Sequence, residues 1–143
     1  MVPDAETSLL AVRASMEGQE TMIEKHEIKV STTGSAGVAS GSTILAVPLS
    51  ELIALYLDYD GSAPGTTDVT ISSPGNPAAV TILTESNNAT DGWRYPRVQD
   101  HDNTGSAITG SYSDPPLHGN VLVEVAQGDA ITDIVTVTIY MRV

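Results

Sequence analysis

One short stretch, DGWRYPRVQDHDNTGSAITG at residues 91–110, gathers side-chain types that could do chemistry. It holds the only tryptophan, Trp93, together with two of the six basic residues, one of the three histidines and three acids. Such groups could form a metal loop, a catalytic centre or a contact surface for another molecule. Their order along the chain favours one of these over the others.

The run Asp100-His101-Asp102-Asn103-Thr104-Gly105 matches the opening of a calcium loop, where alternating side-chain oxygens converge and glycine permits a tight turn. The same template requires a glutamate at its twelfth position, where this chain has Ser111. The flanking sequence is typical of strands and loops, not of the two helices that enclose such a loop. The alternative is a polar turn whose side chains bond nearby backbone. Calcium at Asp100–Asp102 stays open, and we predict no cofactor.

Other catalytic and metal chemistry finds little support in the residue types. A transition-metal site needs two or three convergent histidines, whereas His26, His101 and His118 fall on three separate predicted elements. The chain has no cysteine, which excludes a thiol nucleophile. A G-x-S-x-G nucleophile elbow is absent. The eighteen acids offer many carboxylate pairs but no spacing that selects one. We therefore predict that the protein is not an enzyme.

Recognition of another molecule is the remaining interpretation of the stretch. Trp93, Arg94, Tyr95 and Arg97 are of the types enriched at protein interfaces, because they carry a large contact area or bidentate donors. Pro96 biases Tyr95 toward an extended backbone. We predict these four as interface residues. The alternative is an aromatic cluster that plugs the end of the fold, with both arginines paired to acids.

The elements that must position these residues are β-strands. From residue 21 onward the apolar residues alternate with a period of two, and Gly, Pro, Asn and Asp separate the runs. Pro48 separates the second predicted strand from the third. The predicted strands cover residues 22–31, 38–47, 52–59, 68–72, 80–84, 120–126 and 134–143.

The last of these strands is the most clearly marked. Six consecutive β-branched residues at 134–139 favour an extended backbone. Its predicted core face is formed by alternate residues, Val135, Val137, Ile139, Met141 and Val143. The chain is therefore predicted to be all-β, an antiparallel β-sandwich or jelly roll of about seven to eight strands in a single domain over residues 21–143. With no Phe and one Trp, the core should be aliphatic.

Residues 1–20 differ from the rest of the chain. Thr7 or Ser8 could cap a short helix, which would be marginal unless it docks on something. We predict an N-terminal arm that reaches a neighbouring subunit, and the alternative is a frayed terminus. The predicted interface residues of this arm are the apolar ones, Leu9, Leu10, Val12 and Met16.

Composition excludes several partners. The formal net charge is −12 and the isoelectric point is near 4.2. This field opposes binding to nucleic acid or to an anionic membrane. No window approaches the roughly 18 consecutive apolar residues of a membrane span, and the first residues lack the pattern of a signal peptide. We expect a soluble protein.

Taken together, the chain resembles the small β-rich structural proteins of tailed-phage particles, particularly the head decoration proteins that stud and cement a capsid. The resemblance is carried by the N-terminal segment 1–19, the body rich in Gly, Thr, Ser and Val, YPRVQDHDNTGSAIT at 95–109 and GNVLVEVAQGD…IVTVTIYMRV at 119–143. It implies a homotrimer bound to the major capsid protein or other virion subunits, with the arm gripping the shell. The expected location is the virion, assembled in the host cytoplasm.

A different class of function remains open. A carbohydrate- or ligand-binding β-sandwich module, for example in a tail or head fibre, could use Trp93, Tyr95 and Tyr112 as a sugar platform. The Asp100–Asp102 turn would then be its calcium site. A small hydrolase without a recognisable motif is the third alternative.

Overall fold

The structure is a computed structural model that describes residues 22–75 and 78–143. The helices and strands assigned within those two ranges are all strands, nine in number. They are β1 Ile23–Val30, β2 Ala39–Tyr59, β3 Asp68–Ser73, β4 Val80–Glu85, β5 Gly92–Arg94, β6 Val98–His101, β7 Ala107–Ser113, β8 Pro116–Gly128 and β9 Val135–Arg142. The predicted arm at residues 1–20 lies outside the described residues.

The strands form two antiparallel sheets. The main sheet has the order β1-β9-β2-β8-β3-β4, and β5 also pairs with β2. The second sheet contains only β6 and β7. The prediction of an all-β antiparallel sandwich is confirmed, with nine strands in place of about seven or eight. Among the described residues, no helix is long and apolar enough to cross a membrane.

The long strand β2 belongs to both layers of the sandwich. Its first part, residues 39–51, pairs with β8, and its second part, residues 51–59, pairs with β9. We call β2 (first part), β8, β3 and β4 the β8 layer, and β1, β9, β2 (second part) and β5 the β9 layer. Pro48 lies where the register shifts between Ala46 and Leu49, so its missing amide costs no ladder hydrogen bond. The prediction that Pro48 separates two strands is therefore wrong.

The hydrophobic core cluster of the described residues lies between the two layers and is aliphatic apart from Tyr59. The inward side chains of β9 are each 0% exposed, namely Val135, Val137, Ile139 and Met141. Those of β8 are 0–2% exposed, namely Leu117, Val121, Val123 and Val125. Each such side chain contributes about 1.5–3 kcal/mol by leaving water. The predicted core face of the last strand is thus buried up to Met141.

Gly41 permits the first part of β2 to approach the end of β1. A Cβ atom at this position would lie 2.0 Å from the carbonyl oxygen of Ser31. Close by, a backbone bridge joins Thr33 to Ser40. The absence of a side chain at residue 41 therefore lets the two layers meet along this edge.

Candidate functional site

The stretch at residues 91–110 divides into three structural parts. It begins with β5, which pairs with the β9 layer through β2. Residues 95–97 then lead to the hairpin of β6 and β7, which pair with each other and not with the main sheet. The residues singled out by their chemistry therefore do not converge on one centre.

Four aromatic rings form a continuous cluster on the outer face of the β9 layer, which we call the aromatic surface. It consists of Tyr56, Trp93, Tyr95 and Tyr140. The ring centroid of Trp93 lies 5.2 Å from that of Tyr56, 5.5 Å from that of Tyr140 and 6.4 Å from that of Tyr95. Trp93 and Tyr95 remain 48% and 62% exposed. Trp93 is therefore held in place by Tyr56 and Tyr140, and together with the exposed ring of Tyr95 it offers a contact surface.

Strand register explains why these rings meet. Trp93 lies directly opposite Tyr56 in the pairing of β5 with β2, so both side chains project from the same face. Tyr140 on β9 lies opposite Ala54, whose small side chain leaves room beside it. Tyr140 also alternates with the buried residues of β9, which directs it outward. Sequence reasoning found Trp93 and Tyr95 but missed the two tyrosines contributed by distant strands.

Arg94 points away from the aromatic surface and supports the chain around it. Its guanidinium forms an ion pair with Glu85 on β4, and both side chains are largely buried. It also donates hydrogen bonds to the carbonyl oxygens of Trp93 (3.1 Å) and Thr90 (3.4 Å). Next to it, Asp91 accepts a 2.7 Å hydrogen bond from the backbone amide of Tyr59. Arg94 thus holds the backbone of Trp93 from the side of β5 that faces away from the aromatic surface.

Arg97 joins the hairpin to the body. It donates to the carbonyl oxygen of Ile53 (3.2 Å) and lies 3.3 Å from a carboxylate oxygen of Asp114. Arg142 on β9 contacts the same aspartate at 3.0 Å and reaches Glu51 at 3.7 Å. The base of the hairpin is therefore held by two arginines that share one carboxylate.

The alternative interpretation of an aromatic plug is correct for the arginines, since both are paired with acids. The rings lie on the outer face of the β9 layer, and the assignment of Trp93 and Tyr95 to an interface stays a prediction. The other four residues predicted for the interface, on the N-terminal arm, lie outside the described residues. They are Leu9, Leu10, Val12 and Met16.

The acids of the half calcium motif are engaged within the hairpin. Asp100 accepts hydrogen bonds from the hydroxyls of Ser111 and Ser113, which hold its pKa below the ordinary value. Asp102 accepts from the Thr104 hydroxyl (2.7 Å) and from the amides of Thr104 (2.9 Å) and Ser106 (3.0 Å), and these bonds lower its pKa as well. The two carboxylates thus stabilise a turn, and the residue at the twelfth position of the template bonds to the first.

The histidines lie apart, as their places in the sequence predict. His26 on β1 bonds to Glu24 at 3.0 Å, and His101 on β6 bonds to the carbonyl oxygen of Gln99 at 2.9 Å. His118 on β8 packs against Gly75. Within residues 22–75 and 78–143, no group of three or more His, Cys, Asp or Glu side chains could hold a metal ion.

Tyr59 is a buried polar residue that sequence reasoning missed. Its side chain is in the core, and its hydroxyl has no hydrogen-bond partner among the described residues. Burial, together with the nearby Glu85 and Asp91 carboxylates and against the opposing charge of Arg94, raises its pKa to about 12. This tyrosine lies in the core and is not accessible to a partner.

Comparison with known proteins adds little to this geometry. No family model and no curated protein matches the chain. Among solved structures, it is similar to the family 32 carbohydrate-binding module of C. perfringens NanJ in complex with galactose, over 82% of this chain and 93% of that one. The sequence identity is 10% and the TM-score is 0.33.

Proposed function

We propose that the protein is a non-enzymatic structural subunit of a tailed-phage particle, a decoration or cementing protein that binds the capsid shell through its aromatic surface. The observation that carries this proposal is the exposure of Trp93 and Tyr95 on a supported sheet face. The resemblance of the sequence to head decoration proteins supplies the kind of partner, the major capsid protein.

The aromatic surface has the physical properties of a protein contact. Tryptophan and tyrosine contribute large areas at the centres of interfaces and have few rotatable bonds to immobilise. Trp93 is held by Tyr56 and Tyr140, and its backbone is held by Arg94. A shell subunit that packs on this surface would therefore bury apolar area with little ordering of side chains.

The charge of the chain suits a subunit that is added to a preassembled particle. A formal net charge of −12 keeps free copies soluble through mutual repulsion. In the proposed role the copies act as a homotrimer in the virion, after assembly in the host cytoplasm. Their binding energy would come from the aromatic surface and, as the sequence predicts, from the N-terminal arm.

Cosedimentation with empty shells of the phage that encodes the protein tests the proposal. Trp93→Ala should weaken attachment by about tenfold or more, as expected for an aromatic residue at the centre of an interface. Ile44→Ala is the matched control, because Ile44 is 60% exposed but lies on the outer face of the β8 layer, away from the aromatic surface. This variant should attach as well as wild type does. Failure of the wild-type protein to attach, or equal attachment of both variants, contradicts the proposal.

A carbohydrate-binding module is the second candidate, favoured by one observation on the same surface. The planes of Trp93 and Tyr95 differ by only 17°. Two exposed, nearly parallel rings can stack against the apolar faces of sugar rings. Tyr112, also considered for this platform, lies on the hairpin strand β7 and is 59% exposed. Titration with a panel of oligosaccharides separates the candidates, since saturable binding that Trp93→Ala abolishes would favour this one.

A further inference from the structure

The N-terminal residues join the body close to the aromatic surface. The carbonyl oxygen of Met22 accepts a 2.9 Å hydrogen bond from the amide of Val143, and Ile23 pairs with Arg142. Two residues further along β1, Lys25 lies directly opposite Tyr140. Lys25, three residues after Met22, therefore lies beside one of the four rings.

The outer face of β1 is also continuous with the face that carries the aromatic surface. Directly opposed residues of an antiparallel pair project their side chains to the same face. Lys25 and Tyr140 consequently share the outer face of the β9 layer, where the ring of Tyr140 contacts Trp93. From β1 to β5 the distance across the sheet is three strand spacings, or about 15 Å, and Trp93 lies roughly 17 Å further along the strands than Met22. Twenty residues can span up to roughly 30 Å even as a helix, so length does not limit contact.

Residues 1–20 complement this surface in chemistry. Four apolar side chains, those of Leu9, Leu10, Val12 and Met16, could cover exposed rings, and a methionine sulfur packs favourably against aromatic rings. The charged residues of the segment are mostly acidic, with a single arginine: Asp4, Glu6, Arg13, Glu17 and Glu20.

Exposed cations lie on β1, the strand that follows this acidic segment in the sequence. Lys25 and Lys29 are exposed on the outer face of β1, with one acid, Glu27, between them. In a chain with only six basic residues, this face is a place where an acidic segment can gain opposite-charge contacts. The apolar and charged parts of the segment thus both find complementary groups near its point of entry.

We propose that residues 1–20 of the same chain dock on the aromatic surface of the free subunit and cover Trp93 and Tyr95 until another molecule replaces them. Because the segment is tethered beside the surface, its effective concentration is about millimolar, so a weak contact is enough to populate the docked state. Docking would keep the exposed rings of free copies from associating. This inference goes beyond the proposed function and concerns the protein before it meets any partner.

Fluorescence of the full-length chain tests the proposal directly, because Trp93 is the only tryptophan. Leu10→Asp would place a charge against apolar rings, and a loss of docking energy of about 1.4 kcal/mol lowers the docked population ratio tenfold. Quenching of Trp93 by acrylamide should then increase. Ser15→Asp adds the same charge to the same segment at a polar position and should not increase quenching.

A second measurement locates the segment independently. The chain has no cysteine, so Ser8→Cys introduces one site for a spin label. The label should broaden the single indole NH signal of Trp93 and should not affect the amide of Gly61 in the distant β2–β3 loop. The proposal is overturned if acrylamide quenches Trp93 equally in wild type and in Leu10→Asp and if the label at residue 8 does not broaden the indole NH signal of Trp93.

Protein concentration distinguishes the possible sources of the segment. Docking within one chain predicts quenching and broadening that do not change with concentration. If quenching decreases and broadening increases as the concentration rises, the segment binds a second copy, and the proposal of docking within the chain is overturned. Because only free protein is measured, the result is independent of whether the protein attaches to a shell.

Discussion

The strand β9 and the hairpin of β6 and β7 are ordered by different forces. β9 is paired on both sides, with β1 and with β2, and its inward side chains are completely buried. The hairpin pairs only with itself, and all residues from 101 to 110 are exposed. Its order depends on short polar contacts such as those of Asp100 and Asp102.

This difference separates global from local stability. Buried aliphatic side chains link distant parts of the chain, so their loss destabilises the entire fold. Hydrogen bonds within an exposed hairpin stabilise only that hairpin. An isolated two-stranded unit is marginal in water, so the loss of a few such bonds is enough to open it. The aromatic surface depends on contacts between distant parts of the chain, as β9 does, since β5 pairs with β2 and Trp93 contacts Tyr56.

The largest expected effect comes from making the same substitution in the two regions. Ile139 on β9 is 0% exposed and Ile108 on β7 is 44% exposed. Ile139→Ala should lower the free energy of unfolding by about 2–5 kcal/mol, through lost burial and the cavity left behind. Ile108→Ala should change it by less than about 0.5 kcal/mol, as is usual for exposed positions. Urea denaturation of both variants measures the two values.

The outcome also tests whether the hairpin is independent of the body. If Ile108→Ala lowers the free energy of unfolding as much as Ile139→Ala does, the hairpin packs against another part of the protein in solution and is not independent of the body.

Much of the fold could be predicted because apolar and polar residues alternate along each strand, which is a local pattern in the sequence. In β9 the period of two and the β-branched run separate inward from outward residues without reference to any other strand. Pro48 misled the prediction because a bulge keeps β2 continuous, and a bulge depends on the partner strand β8. The polar stretch that contains β6 and β7 gave no alternation to detect, since both faces of that hairpin are largely solvated.

The aromatic surface was only half predictable for the same reason. Trp93 and Tyr95 are close in sequence, so their types suffice to suggest a contact surface. Tyr56 and Tyr140 join them through the register of β5, β2 and β9, which no local pattern specifies. Arg94 was assigned to the interface by its type, whereas its partner Glu85 on β4 could be found only in three dimensions.

A smaller effect is expected from Tyr59, the one polar side chain among the aliphatic residues of the core cluster. Tyr59→Phe removes a buried hydroxyl that has no partner among the described residues. At neutral pH this should leave stability unchanged or raise it by up to about 1 kcal/mol. Thermal or urea unfolding of the two proteins checks the sign.

The pH dependence of the same pair provides a sharper result. The pKa of Tyr59 is raised from 10.0 to about 12, so the folded state holds this proton more tightly than the unfolded state. The stability that the protonated tyrosine contributes is complete below pH 10 and is lost as the pH rises toward 12. Wild type should lose about 1–2 kcal/mol more than Tyr59→Phe over this interval. Parallel pH profiles would show that Tyr59 is solvated.

The smallest effect should be confined to the hairpin turn. Asp102→Ala removes the acceptor for the Thr104 hydroxyl and for the amides of Thr104 and Ser106. Amide hydrogen exchange should accelerate in β6 and β7, whereas exchange in β9 and the melting temperature should not change. Since these bonds lower the pKa of Asp102, acidification of wild type through that lowered pKa should produce the same local loss.

A matched control shows whether the effect depends on position. Asp60 accepts a similar 2.8 Å hydrogen bond from the amide of Ser62, but it lies in the loop after β2. Asp60→Ala should accelerate exchange only in that loop. If Asp102→Ala instead lowers the melting temperature, the turn contributes to the stability of the body and the hairpin is not independent. If calcium raises the melting temperature of wild type but not of Asp102→Ala, the turn binds the ion, and its order then depends on a ligand as well as on its own hydrogen bonds.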